Sequence, residues 1–265
     1  MKNVYQMVVV GAGGTGTTFL RDIGRYLNNR EDCPIKEVLV VDGDTIESKN
    51  IERQMFFPSQ VGMNKAAAME QMLHRNFPGV KFSALGKYLT SEDELNSIFW
   101  SRSGYGYSRR VPLIIGCVDN NAARVLLEDW FLKQDTAVYF DSGNDYAAGE
   151  VVFSYRSGGK SISPVRSHYF PEIRRGDLRP VTEMSCTELN AVDPQHPLVN
   201  IMAGGILTAA VVGLCEGRAT DALVDFDAHT FYMEARPIDY GALKPKKAPV
   251  KKKVPAPKKS RKAVA

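Results

Sequence analysis

The chain has 265 residues, 44% hydrophobic and 24% charged, an ordinary soluble composition with length enough for one large or two small domains and a well-buried core. Four scattered cysteines, Cys33, Cys117, Cys186 and Cys215, form no CxxC pair, which argues against a disulfide framework and against zinc held at that spacing. The net charge of +4 divides unevenly: from Lys244 onward there are ten Lys or Arg residues and no acids, and residues 1–243 carry a net of −6, so bulk charge says nothing about a site.

Tyr5 to Val10 is a hydrophobic run that predicts a strand, with no signal peptide before it, and it ends in GAGGTG at residues 11–16. Gly11, Gly13 and Gly16 fill the three places of G-x-G-x-x-G, and Phe19, Ile23 and Leu27 mark one face of the helix that follows. Glycines permit a tight turn and close approach to phosphates, and a helix amino terminus offers unpaired N–H groups. Alone the pattern is weak; between a strand and a helix, with an acid at the end of the next strand, it is much more specific.

That next strand is Val38 to Val41, and it delivers Asp42 and Asp44. Asn50, Arg53 and Gln54 follow, and after a turn Lys65. An acid at a strand end suits a ribose hydroxyl, and paired cations beyond it suit phosphate oxygens, so residues 37–65 read as the wall of a nucleotide site. The bland alternative is a surface loop with scattered charges, and the convergence of other segments on the same place weighs against it.

Lys65 to Phe77 is predicted as an amphipathic helix with Ala66, Met69, Leu73 and Phe77 inward, and Val80 to Leu85 as a strand. Ser91 and Glu94 form a capping box for a helix through Phe99. SRSGYGYSRR, residues 101–110, is a loop whose basic and aromatic residues are weak evidence for RNA. Val111 to Val118 is the next buried strand and presents Asp119 and Asn120; the helix after it turns Ala123, Leu126, Leu127, Trp130 and Phe131 inward, with Arg124 in its first turns. Ala137 to Phe140 is a further strand closing on DSGN, residues 141–144. Alternating strands and helices predict a doubly wound, mainly parallel sheet with ligands outside the strand carboxyl ends.

The pattern then changes. Glu150 to Arg156 reads as an antiparallel strand, residues 157–185 as an irregular crossover or flap, and Leu198 to Cys215 as an apolar helix, short of a membrane span, whose small residues suit the core or a dimer interface. Strands near Ala222–Phe226 and Thr230–Ala235 complete a domain of residues 1–243. Residues 244–265 are expected to be a disordered basic tail, either solubilising or in contact with nucleic acid.

In order, GAGGTG, VDGDTIESKNIERQ, VGMNK, GCVDNNAAR, FDSGN and SCTE resemble the E1-like activating enzymes, the ThiF/MoeB/ubiquitin-activating superfamily, over roughly residues 5–216. Within it the chain most resembles the ThiF-related family of the PRTRC plasmid cassette. The resemblance implies a Rossmann-like fold, a homodimer, and use of ATP with Mg²⁺ to adenylate the carboxyl-terminal glycine of a ubiquitin-like or sulfur-carrier protein. A cytoplasmic location is expected separately, from the lack of a signal-peptide pattern or membrane span in the sequence. Carried over by residue, Asp42 is the ribose acid, Gly11, Gly13 and Gly16 the nucleotide loop, Asn50, Arg53 and Lys65 the phosphate contacts, and Asp119 the Mg²⁺-associated aspartate. Asp44, Gln54 and Asn120 neighbour them as further nucleotide-binding candidates.

Cys186 falls where several relatives carry a thioester cysteine; a buried structural cysteine is the equal alternative. Cys117 and Cys215 are expected in the core, and Cys33 has no motif. The catalytic arginine that relatives place before the first strand is missing, with Arg21 or Arg25 as stand-ins, and the CxxC zinc site is absent. Two other functions stay open: an NAD-dependent oxidoreductase, disfavoured by Arg53, Lys65 and Asp119 along one phosphate path, and a non-catalytic nucleotide-binding scaffold.

Overall fold

The computed structural model describes residues 3–100, 110–175, 178, 196–218 and 222–238. Among these the strands are β1 (Val4–Val10), β2 (Ile35–Val41), β3 (Lys81–Leu85), β4 (Arg110–Gly116), β5 (Ala137–Asn144), β6 (Ala148–Ser157), β7 (Lys160–Ser161), β8 (Leu223–Asp227) and β9 (Tyr232–Arg236). The helices are α1 (Gly14–Asn28), α2 (Lys65–Asn76), α3 (Glu92–Trp100), α4 (Asn121–Lys133), α5 (Arg166–Tyr169) and α6 (Pro197–Cys215).

The strands form one sheet in the order β3-β2-β1-β4-β5-β6-β8-β9, with β7 on β6. Pairing is parallel from β3 through β5 and antiparallel from β5 to β9. This is the doubly wound, mainly parallel architecture with antiparallel carboxyl-terminal strands. The winding reverses at β1, which has β2 on one side and β4 on the other, and such a reversal opens a crevice at the strand carboxyl ends.

Both faces of β1 are covered, which is why it reads as a continuous apolar run. Met7 and Val9 join Phe19 and Ile23 of α1, Met69 and Leu73 of α2, and Ala203 and Leu207 of α6 in one core. Val8 and Val10 join Leu95 and Phe99 of α3 and Leu127, Trp130 and Phe131 of α4 in the other. Gly204 of α6 lets the helix lie directly on α1: a Cβ there would stand 2.8 Å from Thr18 Cγ2 and 3.0 Å from the Phe19 nitrogen.

Several boundaries differ from the sequence reading. β2 begins at Ile35, where pairing with β1 extends a strand that composition marks only from Val38. β4 stops at Gly116, two residues short of Val118. β5 runs on through Asp141, Ser142 and Gly143 to Asn144, because β6 pairs with it over that length. The α4 stripe is rotated: Ala123 and Leu126 are half-buried, and the charged Arg124 and Glu128 lie in the interior with Leu127, Trp130 and Phe131. α3 starts at Glu92, directly after the expected cap Ser91, and Glu94 accepts from the Thr90 N–H at 2.8 Å as well as from the Ser91 N–H.

The crossover after β6 is not wholly irregular, for it contains β7, α5 and a 3-10 turn over Pro171–Arg174. By length and composition α6 does reach a membrane span (19 residues, mean hydropathy 2.1), but it is packed against α1, with Val199, Ala203, Leu207 and Val211 buried. The loop 101–109, the segment 179–195 with SCTELN, and the basic tail lie outside the described residues.

Candidate functional site

The glycine loop leaves β1 at the winding reversal. Its first backbone groups continue the sheet: Gly11 N–H donates to Val41 O and Cys117 N–H to Val10 O, each at 2.8 Å. Gly11 takes φ +98, a left-handed conformation that favours glycine, and a Cβ on it would strike the Cys117 carbonyl. A Cβ on Gly16 would strike the Gly11 carbonyl, so this glycine sets how closely α1 approaches the strand. Gly13 differs. Its nearest neighbour to a built Cβ is Gln54 Nε2 at 3.9 Å, which leaves open space at the amino end of α1.

Asp42 grips this loop from the adjacent strand. Its Oδ2 accepts from the Ala12 N–H at 2.6 Å and its Oδ1 from the Asp44 N–H at 2.8 Å. Burial pushes the Asp42 carboxyl above the usual carboxylate range, with Lys65 opposing and Asp44 adding to the rise. Lys65, the first residue of α2, is buried and places Nζ 2.6 Å from Asp44 Oδ2. The Tyr88 hydroxyl donates to Asp44 Oδ1. Burial would raise the Asp44 carboxyl as well, but the charge and hydrogen bond of Lys65, with Tyr88, outweigh it and hold Asp44 below the usual range. Tyr88 itself is pushed up by burial and by Asp44, and it also feels the Asp119 charge, which places that carboxylate on the same side of the crevice.

Backbone pairing explains why Lys65 arrives here. Ile46 N–H donates to Met63 O at 2.8 Å and Lys65 N–H to Asp44 O at 2.9 Å, so residues 44–46 lie alongside 62–65. Asn64 caps α2 by accepting from Ala67 N–H at 3.1 Å, while its Nδ2 donates to the Asp42 and Asp44 carbonyls at 2.9 and 3.0 Å. One side chain thus ties the helix start to the acid pair. The intervening loop turns back on itself at Asn50, which is buried and accepts from Glu47 N–H at 2.9 Å. Gln54 sits inside this turn with Oε1 buried and without a hydrogen-bond partner among the described residues.

Sequence-predicted residues therefore divide into groups. Gly11, Gly13, Gly16, Asp42, Asp44, Gln54 and Lys65 converge on the loop. Arg53 is half-buried on the same turn as Gln54, and no carboxylate among the described residues pairs with it. Asn50 and Asn120 use their side-chain oxygens as caps, Asn120 accepting from Ala123 N–H at 2.8 Å to start α4. Asp119 is exposed just past β4. Arg21 lies on the outer face of α1, bound to Asp22 at 2.7 Å, and Arg25 is exposed in its last turn. Cys186 lies outside the described residues. Cys117 and Cys215, expected in the core, are half-buried at its edge, and desolvation still pushes the Cys117 thiol up to about 12.

Three groups around the loop escaped the sequence reading. Tyr88 had no motif. Asn200 of α6 meets Thr15 of α1 at 3.0 Å and Asn144 of β5 at 3.0 Å, and Asn144 also donates to Thr15 at 2.7 Å, so three elements lock behind the glycine loop. Arg124 donates to Asp141 Oδ2 at 2.9 Å, Ser142 O at 2.6 Å and Val118 O at 2.5 Å. It thereby fixes the backbone immediately before Asp119. Arg166 of α5 reaches the same Asp141 oxygen at 2.9 Å and also binds Glu150.

The open face of Gly13, bordered by the Gln54 Nε2 donor, and the fixed Lys65 ammonium fit a phosphate chain, and Asp42 retains lone pairs for a ribose hydroxyl. Among the described residues no group of three or more His, Cys, Asp or Glu could hold a metal ion alone. A single carboxylate such as Asp119 nevertheless suits Mg²⁺, which takes one or two carboxylates together with substrate phosphates.

A doubly wound sheet with a glycine loop and an acid–lysine pair at its winding reversal defines a Rossmann-type α/β protein. By sequence the chain belongs to the ThiF family, whose model matches residues 2–249. It is 32% identical over 126 residues to ubiquitin-like modifier-activating enzyme 5 of Oryza sativa, covering 46% of this chain and 28% of that protein. The enzyme of the same name from Branchiostoma floridae is 30% identical over 142 residues, covering 52% and 33%. The chain thus spans about a third of the length of these relatives. Among solved structures, PaaA matches with TM-score 0.59 at 15% identity, covering 88% of this chain and 73% of that one. Escherichia coli MccB with ATP matches with TM-score 0.60 at 14% identity, covering 89% and 64%, a likeness of fold.

Proposed function

We propose that this chain uses ATP and Mg²⁺ to adenylate the carboxyl-terminal carboxylate of a small ubiquitin-like or sulfur-carrier protein, releasing pyrophosphate. One observation carries the reading: a buried Lys65 ammonium is fixed on Asp44, two residues beyond the Asp42 that holds the glycine loop. A nicotinamide-dependent oxidoreductase has no use for a buried lysine there, whereas attack by a carboxylate on a phosphate does. Two anions must meet, and preorganised cations offset the charge that builds on the phosphate oxygens. Relatives named as ubiquitin-like modifier-activating enzymes support the same chemistry.

In this reading Gly11–Gly16 and Gln54 hold the phosphates, Asp42 takes the ribose, and Lys65 with Arg53 orients the reacting phosphate. Asp119 would hold Mg²⁺ jointly with phosphate oxygens, and the ion would neutralise part of their charge. Cys186 is the proposed acceptor of a subsequent thioester. Exposed Leu198 and Ile201 on α6 support a second copy of the chain as partner. The order of the motifs supports a place with the ThiF-related proteins of the PRTRC cassette, and the ten basic residues of an otherwise acid-free tail support contact with nucleic acid.

The test is ATP–pyrophosphate exchange with small ubiquitin-like proteins ending in glycine. Exchange is expected only with an acceptor whose terminal carboxylate is free, and Lys65→Ala should lower it by about 10²–10³-fold. Exchange at equal rates with an amidated terminus would refute the assignment.

A further inference from the structure

Two cysteines remote in sequence and unused by the nucleotide site lie together. Cys33 ends the turn between α1 and β2, Cys215 is the last residue of α6, and their sulfurs stand 3.6 Å apart across 182 positions. Both are free thiols. Cys33 is buried and Cys215 half-buried. The pair lies by the amino-terminal end of the sheet, where Tyr5 N–H donates to Pro34 O at 2.9 Å, opposite the strand ends that carry Gly11 and Asp42.

We propose that Cys33 and Cys215 form a reversible disulfide, closed by a low-molecular-weight disulfide such as oxidised glutathione and reopened by a dithiol. A disulfide needs its sulfurs at ~2.05 Å, a closure of about 1.5 Å from the present contact. Both residues sit where the backbone can give. Cys33 follows a turn closed by its N–H on Arg30 O at 3.4 Å, and Cys215 precedes a glycine-terminated helix end in which Gly217 adopts φ +72. The Cys215 S–H and nearby Lys36 draw the Cys33 thiol below its ordinary range, and Cys215 rises in response to Cys33. The pair thus favours Cys33 as the sulfur that attacks its partner.

The exchange balances in two steps. One cysteine thiolate attacks oxidised glutathione, forming a protein–glutathione disulfide and expelling one glutathione thiolate. The second cysteine sulfur then attacks the protein sulfur of that bond and expels the other glutathione. Two cysteines are oxidised, one glutathione disulfide is reduced, and the two cysteine protons end on the two glutathione thiols. The new bond ties the carboxyl end of α6 to the entry of β2. The other end of that helix supplies Asn200 to the glycine loop, so the cross-link fixes one end of a helix that reaches the nucleotide site.

The full chain is equilibrated in glutathione buffers of increasing oxidised fraction, quenched with N-ethylmaleimide and mapped by mass spectrometry. The expected product is a Cys33–Cys215 linked peptide pair about 2 Da lighter than the two reduced peptides, lost again in dithiothreitol, with a higher Tm for the oxidised protein. Cys33→Ser should trap a stable glutathione adduct on Cys215 and lose the Tm gain. The proposal is overturned if wild type accumulates that adduct without the linked pair. Linkage appearing only in denaturing urea, or between Cys33 and another cysteine, also overturns it.

Discussion

The ammonium of Lys65 rests 2.6 Å from the Asp44 carboxylate, 21 positions earlier in the chain, and this contact joins the start of α2 to the end of β2. One of three ammonium donors is thereby used and two remain for phosphate oxygens. Lys65→Met should leave the fold cooperative, because Asp44 is partly exposed and keeps its Tyr88 hydrogen bond. MgATP affinity should fall at least tenfold, equivalent to about 1.4 kcal/mol, as read by isothermal titration calorimetry. Unchanged affinity would remove Lys65 from the phosphate path.

The same contact sets a pH dependence. Asp44 is held below its ordinary pKa, chiefly by Lys65 working against burial, so its contribution to stability is present at neutral pH. That contribution is lost as pH falls through the depressed folded-state value. In Lys65→Met the Asp44 carboxyl should titrate at higher pH, toward or above the unfolded value, as followed by carboxyl-carbon NMR. Asp42 has the opposite sign. Burial raises it, so the stability linked to its protonated form lies at acid pH and declines as pH rises through its raised value.

Two glycines of one motif should respond differently. A methyl on Gly16 meets the Gly11 carbonyl, so Gly16→Ala should destabilise the protein by several kcal/mol, on the order of a severe overpacking. A methyl on Gly13 meets nothing closer than Gln54 at 3.9 Å and should cost about 1 kcal/mol or less, yet it occupies the space offered to phosphates. Thermal melts with and without MgATP separate the cases: Gly13→Ala should fold normally and lose the ligand-induced shift.

Gly14 and Asn200 form a steric pair. A Cβ on Gly14 would collide with the Asn200 amide, which itself binds Thr15 and Asn144. Gly14→Ala should destabilise, Asn200→Ala should cost about 1–3 kcal/mol through partners left unpaired, and the double variant should lose less than the sum. Urea melts of the four proteins measure the coupling; strict additivity would contradict the packing.

Arg124 answers to burial rather than to exposure. Replacing it with Met leaves two carbonyls without their donor and Asp141 with Arg166 alone, and should destabilise by about 3 kcal/mol, roughly 6–12 °C in Tm for a domain of this size. Since Arg124 also holds the Val118 carbonyl, Mg²⁺-dependent binding should weaken beyond the stability loss.

The fold was legible where one physical signal dominated. The apolar runs before Gly11 and Asp42, and the Phe19–Ile23–Leu27 stripe, have periods that local sterics and burial dictate, and they place the glycine loop and the ribose acid without tertiary knowledge. Arg124 was not legible because a charged residue near the start of a helix is usually solvated; its interior place depends on Asp141 and on the Ser142 and Val118 carbonyls, which only the extension of β5 past Phe140 and the chain just beyond β4 bring within reach. Asp141 itself looked like a loop residue, since nothing local announces that β5 continues past Phe140. Tyr88 and the Cys33–Cys215 contact depend on packing between distant segments, which spacing does not encode.

Thermal stability of the full chain with MgATP, with NAD and with neither, in wild type and in Lys65→Ala, tests the central claim most directly. At about a hundred times its dissociation constant a ligand stabilises by roughly 2.7 kcal/mol, a resolvable shift for this size. The account predicts a rise with MgATP that shrinks in Lys65→Ala, and none with NAD. A rise with NAD alone, or an MgATP shift untouched by loss of Lys65, would contradict it.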